Sequence, residues 1–122
     1  MNMTVQTQGF TLVELVVVIA IVGILASISI VTYGSWRVST AQKEVQSDLQ
    51  LAVSAMENSK NFMTGYPSTL PATFTPSQNV SITYHSGSGT SYCLNGVSLV
   101  NGNVRYFVNT STGSKIPRAG TC

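Results

Sequence analysis

Gly9-Phe10-Thr11-Leu12-Val13-Glu14 opens the stretch that decides this chain, and an apolar run continues from it to Val31. Phe10 to Val31 is 22 residues, and Glu14 is the only charge among them. As a helix this run is about 33 Å long, enough to cross the hydrocarbon core of a bilayer. Glu14 is the anomaly. A carboxylate at membrane depth costs about 2.5–3.5 kcal/mol on insertion scales. A cleaved secretory signal has a shorter apolar core, about 7–15 residues, behind a basic front. Residues 1–9 hold no Lys or Arg. Removal of the whole run is therefore not expected. A plain membrane anchor explains the length of the run and leaves the acid without a purpose.

The glycine, the phenylalanine after it and the acid five residues in resemble the class III signal of type IV pilins and type II secretion pseudopilins. The resemblance implies that a prepilin peptidase cuts between Gly9 and Phe10 and that Phe10 becomes N-methylated. It implies that Glu14 pairs with the new amine of a neighbouring subunit during assembly. A buried acid is stabilised by a positive partner, and a fresh N-terminus supplies one. Two departures stand out. The leader lacks the basic residues usual in this family, so orientation in the membrane rests on the resemblance rather than on flanking charge. Many type IV pilins carry a proline where this chain has Val31, whereas Tyr33 matches the family's tyrosine. Gly23, Ser27, Ser29 and Gly34 are then either points where the helix loosens on assembly or sites of close helix packing.

Beyond the run, Val38, Ala41, Val45, Leu49, Ala52 and Met56 recur every three or four residues. That spacing marks one face of an amphipathic helix. Lys43, Glu44, Asp48, Glu57 and Lys60 read as its solvated face. The helix is expected to end near Ser59 to Asn61, before Gly65-Tyr66-Pro67. Residues 62–79, with Pro67, Pro71 and Pro76, read as a loop pinned by Phe62, Met63, Tyr66, Leu70 and Phe74. The period then changes to two. Val80, Ile82 and Tyr84 mark a strand, and Ser86 to Gly89 a loop. Tyr92-Cys93-Leu94 begins a second strand, which Val97 to Val100 either extends or follows as another. Asn101-Gly102-Asn103 is a hairpin signal, and Val104, Tyr106 and Val108 mark the strand after it. The fold class expected is α+β: a long N-terminal helix packed on an antiparallel sheet of three or four strands. The resemblance implies the same architecture, with a leader at 1–9, a transmembrane half at 10–33 and a globular head at 34–122.

Charged residues are only 8% of the chain, and Ser, Thr, Asn and Gly fill its C-terminal half, which suits an exported polymer better than a cytosolic enzyme. Cys93 and Cys122 enclose 28 residues. In an exported chain they read as a disulfide worth roughly 3–4 kcal/mol, with two free thiols the alternative. No catalytic, phosphate-binding or metal motif is present, and no Asp or Glu follows Glu57. Residues 58–122 thus lack the carboxylates that acid/base chemistry and hard cations need, and no cofactor, metal or enzymatic role is expected. Lys60, Arg105, Lys115 and Arg118 leave this part at net +4 and are candidate nucleic-acid contacts, or a sparse surface balanced by helix acids of a neighbour. The function expected is a structural subunit of a type IV pilus, serving motility, adhesion or uptake. It begins as a single-pass cytoplasmic membrane protein and ends in an extracellular filament. Its partners are copies of itself and other pilins, the prepilin peptidase and an inner-membrane assembly platform. A type II secretion pseudopilin and a DNA-binding minor pilin of an uptake machine are the alternatives.

Overall fold

The structure is a computed structural model that describes residues 8–122. Most of the leader at 1–9 therefore lies outside the described residues. Helix α1 spans Leu12–Asn58. Strands β1 (Val80–Ser88), β2 (Ser91–Ser98), β3 (Arg105–Asn109) and β4 (Arg118–Ala119) follow, with a short 3-10 turn at Thr110–Thr112. The chain divides into a unit that ends at Trp36 and a second unit, Arg37–Cys122.

In the first unit every side chain of α1 is exposed. The helix is long and apolar enough to cross a membrane, with a mean hydropathy of 2.9 over its most apolar stretch. Gly23 and Gly34 do not interrupt it. The Ser27 hydroxyl donates to Ile24 O at 2.7 Å and Ser29 to Leu25 O at 2.8 Å, so both polar groups are satisfied within the helix.

The second unit is an antiparallel sheet of order β1-β2-β3-β4 packed on the rear of α1. Ala41, Val45, Leu49, Ala52 and Met56 form the buried stripe that the spacing predicts, and Val53 widens it. Val38 stays exposed, so the stripe begins one turn later than expected. Val80 and Ile82 of β1, Tyr92 and Leu94 of β2, Val104 and Val108 cover it. Gly96 of β2 is the closest approach. A Cβ there would lie 2.9 Å from Val45 Cγ1 and 3.0 Å from both Ile82 Cδ1 and Leu49 Cγ, so only glycine lets helix and strand come this near.

Several expectations are corrected. The helix ends at Asn58, one residue early. β1 runs on through Gly87 to Ser88, past a bulge between Tyr84 and Ser86, so the loop expected over Ser86 to Gly89 shrinks to a tight turn. Ser91–Ser98 is one strand. Tyr66, Leu70 and Phe74 do pack on the core, but Phe62 and Met63 stand in solvent. They sit on a turn closed by reciprocal Asn61–Gly65 backbone bonds of 2.8 and 2.7 Å. Gly65 has φ 79°, and a side chain on it would run into the Gly89 carbonyl. Asp48, expected on the solvated face, is 4% exposed.

The tail is built rather than loose. Gly113 ends the 3-10 turn at φ 78°. Arg118–Ala119 pairs with Tyr106 and Phe107 of β3. Cys93 and Cys122 form the expected disulfide, with a Cα–Cα distance of 6.2 Å. The Cys122 N–H donates to Asn95 Oδ1 at 2.8 Å, which anchors the last residue a second time.

Candidate processing and assembly site

Gly9 and Phe10 precede α1 in irregular, exposed backbone. The peptide bond between them is thus outside the helical hydrogen-bond ladder that begins at Leu12. Thr11 and Glu14 form the start of that ladder. The Thr11 N–H and hydroxyl both donate to Glu14 Oε2, at 2.8 and 3.0 Å, and the Glu14 N–H returns a bond to Thr11 Oγ1 at 3.2 Å. This is a capping box, in which Thr11 and the acid three residues later satisfy donors that a helix N-terminus leaves without partners. The signal Thr11-Leu12-Val13-Glu14 is legible in the sequence, although its place inside an apolar run draws attention to the charge instead. Among the described residues, Glu14 Oε1 accepts no hydrogen bond. One oxygen is committed to the chain's own helix and the other is open.

The family model for the prokaryotic N-terminal methylation motif matches residues 6–30, which include Gly9, Phe10 and Glu14. Over this N-terminal stretch the chain carries the methylation motif that type IV pilins share. It is similar to the type IV major pilin protein PilA of Myxococcus xanthus (strain DK1622), with 36% identity over 53 residues, or 43% of this chain. That match spans 24% of the relative's own length. No solved structure matches the chain.

The second unit scatters the four candidate nucleic-acid contacts. Lys115 Nζ lies 2.7 Å from Glu57 Oε1. Lys60 sits 4.6 Å above the Tyr66 ring. Arg105 donates from Nε to Gly102 O at 2.9 Å on β3, and Arg118 lies on β4. Phe107 lies between these two arginines in the pairing. Lys115 and Lys60 are thus gathered around Glu57 and Tyr66, while Arg105 and Arg118 flank Phe107 on the sheet.

Around Glu57 the head builds a polar knot that the sequence pattern does not announce. The Tyr66 hydroxyl donates to Glu57 Oε1 at 2.8 Å, and the Tyr66 ring meets Tyr92 edge-on at 4.7 Å. Desolvation opposes ionisation of Glu57, but the bonds from Lys115 and Tyr66 outweigh it and hold the carboxyl below its ordinary range. The bond to Glu57 in turn raises Lys115 against a smaller desolvation effect. Burial, then the negative charge of Glu57, pushes the Tyr92 phenol up. Its hydroxyl has no hydrogen-bond partner among the described residues. The knot joins helix, loop and tail. Among the described residues no cluster of three or more His, Cys, Asp and Glu could hold a metal.

Proposed function

We propose that this chain is the precursor of a structural filament subunit, trimmed between Gly9 and Phe10, methylated on Phe10 and polymerised through its N-terminal helix. The observation that carries the reading is Glu14. Its capping box accounts for one oxygen and for the start of the helix. A neutral glutamine would serve that purpose nearly as well, so the charge and the open Oε1 call for a second role. In lipid or in a fibre core, an N-terminal ammonium from the neighbouring subunit matches both. Cleavage creates that ammonium, which makes the leader a lock on assembly. The all-round exposure of α1 up to Trp36 supports the same reading. Among the described residues nothing in the first unit covers the apolar surface, which suits cover by lipid first and by other subunits afterwards.

A pilus is favoured over a secretion pseudopilus. The main secretion pseudopilins resembled by the N-terminus carry an acidic, calcium-binding C-terminal loop, and here no carboxylate follows Glu57. Partners on this reading are copies of the chain, other pilins, the prepilin peptidase and the inner-membrane platform, and the mature location is the cell surface. DNA binding has weaker support, because the candidate cations fall into two groups and Lys115 is already paired. Mass spectrometry of the chain recovered from sheared surface fibres tests the main proposal. The expected species begins at N-methylated Phe10. Intact Met1 to Gly9 on fibre-borne protein overturns it.

A further inference from the structure

The second unit carries unmatched charges of opposite sign on opposite flanks. Among the described acids, Glu14 is held by Thr11, Asp48 by Ser77, and Glu57 by Lys115 and Tyr66. Glu44 has no such partner. Three and four residues away along the helix it meets Thr40, Ala41, Ser47 and Asp48, none of them basic. Asp48, one turn later on the same helix face, reaches Ser77 in the segment that leads into β1. Glu44 therefore lies on the β1 side of the sheet. β4 is at the other edge. There Arg118 is the cross-strand partner of Phe107, and Arg105, two residues before Phe107, shares its face of the sheet. Both arginines are exposed. The Nε–H of Arg105 is bonded to Gly102 O, which leaves its two terminal nitrogens for another acceptor.

We infer that Arg105 and Arg118 of one copy dock on Glu44 of a second copy, head beside head. The inference rests on the filament reading above. Because the two charges stand on opposite flanks, one chain cannot close the contact on itself. The contact is heterologous, and repeating it builds a ring or a helical fibre rather than a two-fold dimer. Its contribution is register between heads more than raw affinity.

Charge reversal in the full-length chain tests it, with sheared fibres measured at rising NaCl. Glu44→Arg alone, or Arg105→Glu with Arg118→Glu, should lower fibre yield by up to about fivefold per contact. Salt should partly restore those fibres by screening repulsion, whereas it should weaken fibres of the unaltered chain. All three changes together should recover most of the yield. Thiol labelling shows whether the Cys93–Cys122 bridge, and so the head, is intact in each variant. With that bridge present, full yield from either one-sided reversal, or no recovery in the combined variant, overturns the inference and leaves the filament reading standing. An unaltered chain that is processed at Phe10 yet makes no fibres sinks the filament reading and this contact with it.

Discussion

Glu14 in the stem and Asp48 in the head solve the same problem with the same chemistry. Each is a carboxylate on α1 that takes a backbone N–H and a hydroxyl from a single Thr or Ser. Thr11 gives both bonds to one oxygen of Glu14. Ser77 gives its N–H to Asp48 Oδ2 at 2.7 Å and its hydroxyl to Oδ1 at 2.9 Å, so both oxygens are used. The Asp48 site engages both oxygens and lies within one chain, while the Glu14 site is half open. The surroundings differ in the same sense. From Leu12 to Trp36 all of α1 is exposed, whereas seven residues from Ala41 to Met56 are buried. The head buries its own stripe, whereas the stem leaves its apolar side chains exposed.

The largest effect expected from breaking this comparison is at the open site. Glu14→Gln keeps an acceptor for Thr11 and removes the charge. Membrane insertion, helix start and cleavage at Gly9 should be retained, and fibre yield should fall by tenfold or more, on the order of 1.4 kcal/mol at each of many contacts. Immunoblots of membrane and sheared fractions measure both arms. Glu14→Val removes cap and charge together, so its excess over Glu14→Gln isolates the cap. Normal fibres from Glu14→Gln would reduce the acid to a helix cap.

Within the head, the largest loss should come from the stripe. Leu49→Ala removes a fully buried side chain that faces Gly96 and should cost about 2–5 kcal/mol. Thermal unfolding of the full chain in detergent reads this as a lower Tm. The same truncation in the exposed stem, at Leu25, should leave head unfolding unchanged. Asp48→Asn ranks next. It keeps one acceptor and the shape but gives up a charge-assisted pair, for a loss of about 1–3 kcal/mol. A Tm shift as small as that of an exposed substitution would show that Ser77 adds little.

What could be read in advance follows the same division. The apolar run, the acid inside it, the three-and-four spacing from Ala41 to Met56 and the alternation at Val80 to Tyr84 are local patterns, and they carry the α+β fold and the N-terminal methylation motif. The Cys93–Cys122 bridge was legible from an even cysteine count. The misses are contacts between distant positions. Ser77 lies 29 residues from Asp48, and nothing near either signals the pair. Lys115 finds Glu57 only because the tail folds back along the sheet. β4 has two residues, too few to show a period. Phe62 and Met63 read as core by their chemistry, yet the turn fixed by Asn61 and Gly65 holds them outward. The exception is the capping box at Thr11, which is local and legible, and was masked by the apolar letters around it.

The smallest effect separates the exposed ion pair from the closed carboxylate. Glu57 has a folded-state pKa below its ordinary value, so it stabilises the head above the unfolded pKa. That contribution is lost as pH falls through the folded one, below about pH 4. Lys115 has a raised pKa, so its contribution is present below the unfolded value and is lost as pH rises through the folded one, above about pH 10. Lys115 is half exposed, so solvent screens the pair and its contribution to stability is small. Lys115→Met should therefore lower Tm slightly at neutral pH and by less at 1 M salt. It should also flatten the alkaline limb of the stability profile while leaving the acid limb partly in place, because Tyr66 still donates to Glu57. An alkaline limb unchanged by Lys115→Met would mean that the tail is held by β4 and the disulfide alone, and that the knot at Glu57 closes through Tyr66 without it.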